Sequence, residues 1–407
     1  MTTIQFLGGC KEVGRSAVAV DSIMLDYGIK PSEPPEYPFN GVVPSHLIIT
    51  HSHLDHVGVA PNLMDYDPTI FMTPPTRDLS SVLLNDSMNI LEHPPYNKKQ
   101  LRQFESNVVE VNYNQPQYIN EWEVTFFDAG HIPGSATIHL SRDVDIIYTG
   151  DIRLEETRLL NAANIDFPQT DVLIMESTYY GIEHPPREEL EKAFVESVKE
   201  TIENGGHAII PVFAVGRTQE IVMILQKYGI TPYVDGMGKD VGKLIEKSPE
   251  YIRSSKNLKK ALNRSIPVKK GKREDILSEP SPIVTTAGML NGGPALFYIS
   301  RLYNDPKSKI LLTGYQVEGT NGESALNRGV MNLGMSTVNL KMGVEQYDFS
   351  AHADDKQLKE LVRSVANKGA EVVFTVHGDD TEGFCNWIKE EIGIEAYSPY
   401  NGEIYVI

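Results

Sequence analysis

The sequence predicts an α/β protein in which one α/β domain is inserted into another. Three observations predict this fold class. Residues 1–182 contain short apolar runs bounded by Gly, Asp and Pro, which are typical of β-strands. Residues 183–342 alternate apolar runs with helical patterns, which indicates a second, parallel α/β unit. Motifs of the first kind return in residues 343–407, so we interpret the middle part as an insertion.

The strands of the first part are predicted from apolar runs that stop at turn residues. Apolar residues at helical spacing predict helices over residues 76–91 and 98–104. The strand predictions cover residues 4–7, 16–20, 23–25, 46–50, 123–127, 137–140, 146–149 and 172–175.

The middle part begins with a charged amphipathic pattern over residues 186–204, which predicts a helix ended by Gly205. An apolar run at 207–213 predicts a strand, and residues 216–228 predict the next helix. The same reasoning predicts strands at 283–286 and 310–313, and at 372–375 in the third part.

Composition and charge exclude several classes of protein. The chain has 407 residues, 41% of them apolar, yet no run approaches the roughly eighteen apolar residues of a membrane helix. The first residues lack the pattern of a signal peptide, and the two distant cysteines, Cys10 and Cys385, form no disulfide framework. We therefore expect a cytoplasmic protein with no membrane partner. A net charge of −18 argues against a protein that simply coats nucleic acid.

Charge is distributed unevenly along the chain. Residues 239–273 contain twelve Lys/Arg and three Asp/Glu, a net charge of +9, which leaves −27 for the remainder. A charge run of this kind is either a solvated helical face or a basic surface that holds phosphates. The sequence leaves the role of this segment open.

The strongest functional signal is the motif HSHLDH at residues 51–56, directly after the fourth predicted strand. Alternate residues of an extended segment point the same way, so His51 and His53 can reach one ion. Asp55 and His56 lie on the next turn and can reach a second ion. Imidazole and carboxylate ligands suit zinc.

Two ions need more ligands than this one motif supplies. His131, Asp151 and His377 each follow a predicted strand, at the point where a glycine-containing loop begins. Functional groups are often placed at such strand ends because the scaffold is rigid and the loop is free. We therefore predict that these three residues complete the metal ligands.

These motifs resemble those of a known superfamily. Residues 51–56, then His131, then Asp151 resemble the successive metal motifs of the metallo-β-lactamase superfamily. Asp26 resembles its first motif, which supports the ligand loop from a buried position. The resemblance implies an αββα sandwich for residues 1–182 and 343–407.

Further segments resemble the β-CASP nucleases within that superfamily. Residues 175–179, 348–354 and 376–378 resemble their motifs A, B and C, and residues 211–220 are similar to the entry of their inserted domain. The resemblance implies that residues 183–342 form a β-CASP α/β domain. Archaeal and bacterial relatives of the cleavage and polyadenylation specificity factor endonuclease are most similar, with RNase J as the neighbouring subgroup.

The resemblance implies a ribonuclease with two zinc ions per chain, with manganese as an alternative ion. The resemblance implies that His352 is the general acid and that Glu176 holds it. It also implies that Asp55 is both a catalytic residue and a metal ligand. Zinc brings the pKa of bound water to about 7, so the ions supply a hydroxide nucleophile. Because this nucleophile attacks without help from the 2′-hydroxyl, the products would be 5′-phosphate and 3′-hydroxyl ends. The implied ligands are His51, His53 and His131 for one ion, Asp55, His56 and His377 for the other, and Asp151 as the bridge.

Single-stranded RNA is the implied substrate, bound through hydroxyls, a cation and a stacking ring. The sequence leaves open endonuclease against 5′-to-3′ exonuclease action, activity on single-stranded DNA, and a homodimer or other RNA-processing subunits. Two alternatives are a small-molecule hydrolase of the same fold and an inactive scaffold subunit. The residues predicted to contact RNA are Ser177, Thr178, Arg217, Tyr315 and Thr320.

Overall fold

The structure is a computed structural model, and it describes residues 1–32, 34–90, 93–269, 271–334 and 336–407. The predicted end of the 76–91 helix and one member of the basic segment, Lys270, lie outside the described residues.

The elements are numbered in chain order, beginning with residues 1–182. The strands here are β1 Thr3–Gly8, β2 Ala17–Val20, β3 Ile23–Leu25, β4 His46–Ile48, β5 Thr69–Met72, β6 Val108–Glu110, β7 Gln117–Ile119, β8 Trp122–Asp128, β9 Ala136–Ser141, β10 Asp145–Tyr148 and β11 Val172–Glu176. The helices are α1 Leu54–Val57, the 3-10 helix Ala60–Tyr66, α2 Pro74–Ile90 and α3 Lys98–Ser106.

The remaining elements follow the same numbering. The next strands are β12 Ala208–Pro211, β13 Tyr233–Asp235, β14 Ile266–Pro267, β15 Pro282–Thr285, β16 Lys309–Leu312, β17 Val330–Leu333, β18 Ser336–Asn339, β19 Gly343–Gln346, β20 Val372–Val376, β21 Glu395–Tyr397 and β22 Ile404–Val406. The helices are α4 Arg187–Glu203, α5 Arg217–Lys227, α6 Gly238–Ile245, the 3-10 helix Pro249–Tyr251, α7 Ser255–Arg264, α8 Arg273–Ile276, α9 Gly293–Leu302, α10 Asn321–Arg328, α11 Asp355–Ala366, α12 Thr381–Trp387 and the π-helix Ile388–Ile392.

The chain divides into two compact units. The first unit comprises residues 1–156, 161–183 and 351–407, and the second comprises residues 157–160 and 184–350. The predicted boundary after residue 342 therefore needs correction. Strand β19 follows that boundary, but it pairs in parallel with β16 and so belongs to the sheet of the second unit.

The first unit is an αββα sandwich of two seven-stranded sheets. One sheet has the order β22-β1-β2-β3-β4-β5-β6, and the other has the order β21-β20-β11-β10-β9-β8-β7. Apolar side chains from the inner faces of both sheets, among them Phe6, Phe126 and Phe374, form the core between them. The outer faces are covered by helices, which contribute side chains such as Phe104 on one side and Leu361 on the other. The predicted fold class is confirmed.

Strand register brings several strand ends to one edge of the second sheet. Strands β10, β11 and β20 are parallel neighbours, with Tyr148 opposite Ile174 and Glu176 opposite Val376. Because parallel strands share a carboxyl edge, the loops after these strands begin side by side. This edge therefore collects the segments that follow residues 148, 176 and 376.

The second unit is built on a six-stranded parallel sheet of order β14-β13-β15-β12-β16-β19, with a separate hairpin of β17 and β18. Its core includes Ile209, Ile283, Tyr298 and Ile310, which are fully buried. The strand–helix alternation of the sequence thus produces a parallel sheet, as predicted. Among the described residues, no helix has the length and apolar character needed to span a membrane.

Candidate active site

The predicted ligands lie at strand ends of the first unit and face one another in two groups. In the first group, one ligand atom each from His51, His53, His131 and Asp151 lies within 4.8 Å of the others. The second group joins Asp151 to three further residues at the same spacing, namely Asp55, His56 and His377. Asp151 therefore belongs to both groups, although these residues are spread from position 51 to position 377.

The position of Asp151 depends on a glycine. Gly150 adopts a left-handed backbone with φ of +54°, and a Cβ at this residue would lie 2.9 Å from the side chain of Thr50. Only glycine combines that backbone with such a close approach at little cost. The turn after β10 thereby brings the Asp151 carboxylate beside the 51–56 segment.

The contacts inside the groups fit a bound cation. His51 Nε2 is buried and has no hydrogen-bond partner within the described parts of the chain, and Asp151 Oδ2 lies 3.4 Å away. His131 Nε2 is at 3.5 Å from the same oxygen. Two donor atoms that each lie roughly 2.0–2.1 Å from a tetrahedral ion are about 3.4 Å apart. Nitrogen and oxygen donors at this spacing suit zinc and related transition metals.

The protonation states of the first group also suit metal binding, whereas in the second group Asp151 and Asp26 outweigh burial and raise the pKa of His56 well above its usual value. Burial, reinforced by neighbouring imidazoles, lowers the pKa of His53 to about 3. Burial likewise lowers the pKa of His51 and of His131, so these rings are neutral near pH 7. Burial opposes ionisation of Asp151, yet the charges of His56 and His377 hold its pKa well below the usual value. Neutral imidazole and ionised carboxylate are the forms that coordinate metals.

The ring nitrogens that face away from the groups have partners of their own. His56 Nδ1 lies 2.7 Å from Asp26 Oδ2, and His131 Nδ1 lies 2.9 Å from the carbonyl oxygen of Ala351. Asp26 also accepts hydrogen bonds from the Thr50 amide and the Tyr148 hydroxyl, at 2.8 and 3.0 Å. Such contacts fix the tautomer and orientation of ligating imidazoles. Asp26 thus contacts the ring of His56 and the Thr50 amide, and the resemblance implies a supporting role for it.

The loop after β20 holds His377 by its backbone. His377 has φ of 48°, in the left-handed region, and its amide donates to the carbonyl of Gly9 at 2.6 Å. Thr178 Oγ1 lies 3.1 Å from His377 Nδ1 and 3.1 Å from its carbonyl oxygen. A non-glycine residue in this backbone region is strained, and these contacts offset the strain.

Beside the two groups, the buried Glu176 pairs with His352, which is 19% exposed. Glu176 Oε2 lies 2.8 Å from His352 Nδ1, and Glu176 Oε1 accepts the Ile152 amide at 2.7 Å. The opposite ring nitrogen, His352 Nε2, lies 3.9 Å from Asp151 Oδ2. Burial disfavours a charged ring, but the carboxylates of Glu176 and Asp151 outweigh burial and raise the pKa of His352 to about 9. At neutral pH this imidazole therefore carries a proton to give.

Sequence reasoning missed Arg153, two residues after Asp151. Its side chain is 2% exposed, and Nη1 donates to the carbonyl oxygen of His352 at 3.1 Å. The Ala353 amide donates to Ile152 at 2.6 Å, so the segment after β10 holds the His352 backbone on both sides. An arginine after a ligand aspartate gives no sign of this contact in the sequence, because the two segments meet only in the folded chain.

Comparison with known proteins identifies the family. A model described as a Beta-Casp domain matches residues 218–324, and one described as a Zn-dependent metallo-hydrolase RNA specificity domain matches residues 337–399. The chain is 36% identical to Probable RNase MJ4 of Methanocaldococcus jannaschii, over 98% of this chain and 99% of that one. The chain belongs to the β-CASP ribonuclease family.

Other relatives agree with this assignment. RNase aCSPSF2 of Saccharolobus solfataricus is 35% identical over 98% of this chain and 84% of its own length. Transcription termination factor FttA of Pyrococcus horikoshii is 33% identical over 97% of this chain and 69% of its own length. A solved structure of a protein of unknown function from Enterococcus faecalis shares the fold, with a TM-score of 0.63 at 16% identity and full coverage of both chains.

In this β-CASP ribonuclease, the residues predicted to contact RNA differ in accessibility. Ser177 is 1% exposed and donates to the Val376 carbonyl, so its hydroxyl supports the fold rather than facing a ligand. Thr320 is 7% exposed, and its hydroxyl accepts the Glu323 amide at the start of α10. Both predictions are therefore corrected.

The other three predicted RNA contacts retain some accessibility. Tyr315 is 50% exposed, whereas Thr178 and Arg217 are half-buried. The Arg217 guanidinium bonds to the Thr313 carbonyl next to Gly314. Arg217, at the start of α5, therefore lies beside the loop after β16 that carries Tyr315.

Proposed function

We propose that this ribonuclease hydrolyses phosphodiester bonds of single-stranded RNA with two zinc ions, leaving 5′-phosphate and 3′-hydroxyl ends. The observation that carries the proposal is the sharing of Asp151 by two buried ligand groups, with the His352–Glu176 pair beside them. RNA as the substrate class is supported by the family and by relatives named as RNases.

The side chains divide into two sets of metal ligands. His51, His53 and His131 would hold one ion, and Asp151 would serve both. Two zinc ions at such a site supply a Lewis acid for phosphate oxygens and lower the pKa of water. Manganese, which accepts similar donors, is the alternative ion. The second set consists of Asp55, His56 and His377, and Asp26 supports it by its contact with the ring of His56.

His352 and Glu176 provide the proton for the leaving group. One water is consumed: its oxygen joins the phosphorus and one of its protons passes to solvent, while the bond from phosphorus to the 3′ oxygen breaks. His352 Nε2 gives its proton to that leaving oxygen, which becomes the 3′-hydroxyl, and solvent returns a proton to the ring. Glu176 keeps the ring charged and oriented from the other side. A positioned general acid of this kind contributes about 10² to 10⁴ in rate.

The proposed activity is endonucleolytic, with 5′-to-3′ exonuclease action as a second mode of the same site, and it serves RNA processing or decay in the cytoplasm. Cys10 and Cys385 are free thiols, which supports a reducing environment. Relatives named as RNases disfavour a small-molecule hydrolase. An inactive scaffold is disfavoured because every predicted ligand lies in one of the two groups.

The test uses one RNA labelled at its 5′ end and one protected there by a triphosphate, each with and without a chelator, beside metal analysis of the protein. Cleavage that needs about two zinc ions per chain and leaves 3′-hydroxyl ends is expected. Internal fragments from the protected RNA identify an endonuclease, and release of labelled mononucleotide identifies an exonuclease. Ends bearing 2′,3′-cyclic phosphate, or cleavage that survives chelation, contradict the proposal.

A further inference from the structure

The second unit carries a basic surface that the site described above does not use. Residues 251–273 contain nine Lys/Arg and no Asp/Glu, in a chain whose net charge is −18. Lysine and arginine on protein surfaces are normally interspersed with acidic residues. A run of one sign therefore requires an explanation from its contacts.

The structure separates the basic residues of the 239–273 segment into two kinds. Five have partners in their own unit: Arg273 pairs with Asp235, Lys243 with Asp240, and Lys272 with Asp275, while Lys239 and Arg253 donate to carbonyl oxygens. Within the described parts of the chain, the side chains of the others make no ion pair or hydrogen bond and are exposed. They are Lys247, Lys256, Lys259, Lys260, Arg264 and Lys269.

Four of these exposed cations lie on helix α7. The helix begins after Ser254, whose hydroxyl accepts the Asn257 amide. Its apolar side, Leu258, Ala261 and Leu262, is buried, and Leu262 packs on Gly242 of α6. Burial of that side leaves the opposite side to solvent. We call this exposed side the α7 face; it consists of Lys256, Lys259, Lys260 and Arg264.

The α7 face is electrostatically unfavourable on its own. Lys256, Lys260 and Arg264 follow one another at intervals of four residues, which places like charges next to each other on the helix surface. A polyanion laid along the face would turn this repulsion into attraction. Residues four positions apart are separated by roughly 6 Å along the helix axis. This spacing is comparable with the separation of successive phosphates in an extended single strand.

We propose that the α7 face binds the phosphate backbone of RNA beyond the nucleotides that are being cleaved. The inference rests on the proposed function for the identity of the polyanion. On a chain of net charge −18, such a face attracts a strand that the rest of the surface repels. A membrane surface fits less well, because a helix that binds lipid needs a free apolar side and that of α7 is buried.

The test compares two triple variants with the same change of charge. Lys256→Gln, Lys260→Gln and Arg264→Gln remove three charges from the α7 face. Lys98→Gln, Lys99→Gln and Arg102→Gln remove two lysines and one arginine from the exposed side of α3. Anisotropy measures binding to a labelled single-stranded RNA of about 40 nucleotides, longer than a typical site of roughly 4–16. A chelator is present, so binding is measured without cleavage.

The α7 variant should bind the RNA about tenfold more weakly than the wild type, and the α3 variant should match the wild type. The slope of log K against log salt should fall by about 2 in the α7 variant, since each single-strand phosphate contact contributes about 0.7. In turnover, the preference for this RNA over one of about 6 nucleotides should fall about tenfold. The charge-retaining variant Lys256→Arg, Lys260→Arg, Arg264→Lys should keep the affinity.

Several outcomes overturn the inference. Equal affinity and salt slope in the two triple variants remove the α7 face from RNA binding. Loss of affinity in the charge-retaining variant assigns the effect to the fold instead of the charges. Competition by polyglutamate as strong as that by RNA identifies an acidic protein as the partner. RNA that binds in the predicted way to a wild type unable to cleave it contradicts the proposed function but not this inference.

Discussion

The ligand groups of the first unit and the ion pairs of the second unit hold buried charge in opposite ways. In the first unit, the carboxylates of Asp151 and Asp55 have only histidines as ion-pair partners among the described residues. In the second unit, buried carboxylates form ion pairs with lysine or arginine side chains of the same unit. Examples are Asp235 with Arg273, Glu191 with Arg158, and Glu220 with Arg187.

This difference distinguishes functional residues from structural ones without reference to a sequence motif. A buried pair that compensates itself needs nothing from outside, and it holds loops together. A buried cluster of imidazoles and carboxylates that has no cation destabilises the fold unless a metal ion binds to it. Such a cluster is therefore expected to have a chemical function. The predictions below test whether the two kinds of buried charge respond differently to mutation.

The largest effect is expected at the ligands of the first unit. His53→Ala should abolish RNA cleavage, by about 10³-fold or more, and lose metal. His352→Ala should lose about 10² to 10⁴ in rate but retain its metal, because His352 is assigned to proton transfer. Metal analysis beside an RNA cleavage assay measures both. Loss of metal from the His352 variant would make this residue a ligand, together with Glu176 and Asp151.

A smaller effect is expected for the residue that charges His352. The acid must be protonated, so activity falls as pH rises through the pKa of His352, which is raised to about 9. Glu176→Gln removes a negative charge, lowers that pKa, and should move the alkaline limb to lower pH with a loss of about tenfold in kcat. The exposed Glu371→Gln is the control. An alkaline limb that stays in place in the Glu176 variant argues against the pairing.

Breaking a compensated pair of the second unit should affect stability alone. Asp235→Asn leaves the partly exposed Arg273 without its counter-charge, and should destabilise the protein by about 2 kcal/mol. Asp240→Asn, in an exposed pair, should change stability by less than about 0.5 kcal/mol. Thermal unfolding measures both, and the metal content should match that of the wild type. Metal loss on changing Asp235 would blur the comparison between the units.

The smallest effect concerns Asp128, three residues before His131, whose carboxylate has no ion-pair partner among the described residues. Burial raises the pKa of Asp128 from 3.8 to about 6, although the Gly130 amide opposes this. The folded state therefore loses stability as pH rises from about 4 to 6, where ionisation is penalised only in the folded protein. Asp128→Asn should stabilise the metal-free protein by about 1–2 kcal/mol at pH 7.5 and by almost nothing at pH 4. Asp143→Asn, which is exposed, is the control, and a pH-independent gain would refute the assignment.

Sequence patterns indicated the members of the two groups where those patterns are local. Residues 51–56 place four ligand-type side chains in six positions, and His131, Asp151 and His377 each mark a strand end. The strands were also predictable, because apolar runs bounded by turn residues leave few alternatives.

What the sequence could not supply depends on tertiary contacts. Strand β19, GVEQ, lacks an apolar run and is only half-buried, so the domain boundary was predicted too early. Arg153 carries no motif, because its partner lies about two hundred residues away. Ser177 and Thr320 were predicted as RNA contacts because hydroxyl residues in motifs appear available, whereas each one bonds within the fold.

Asp26 has a consequence that extends past its own loop. It follows β3 in one sheet of the sandwich, and it accepts a hydrogen bond from Tyr148, which ends β10 in the other. The His377 amide spans the two layers in the same way, through Gly9. Displacement of one sheet relative to the other would therefore separate the metal ligands. An ion bound there would link the two sheets and oppose that displacement. The contacts that hold the two sheets together are thus the same contacts that position the metal ligands.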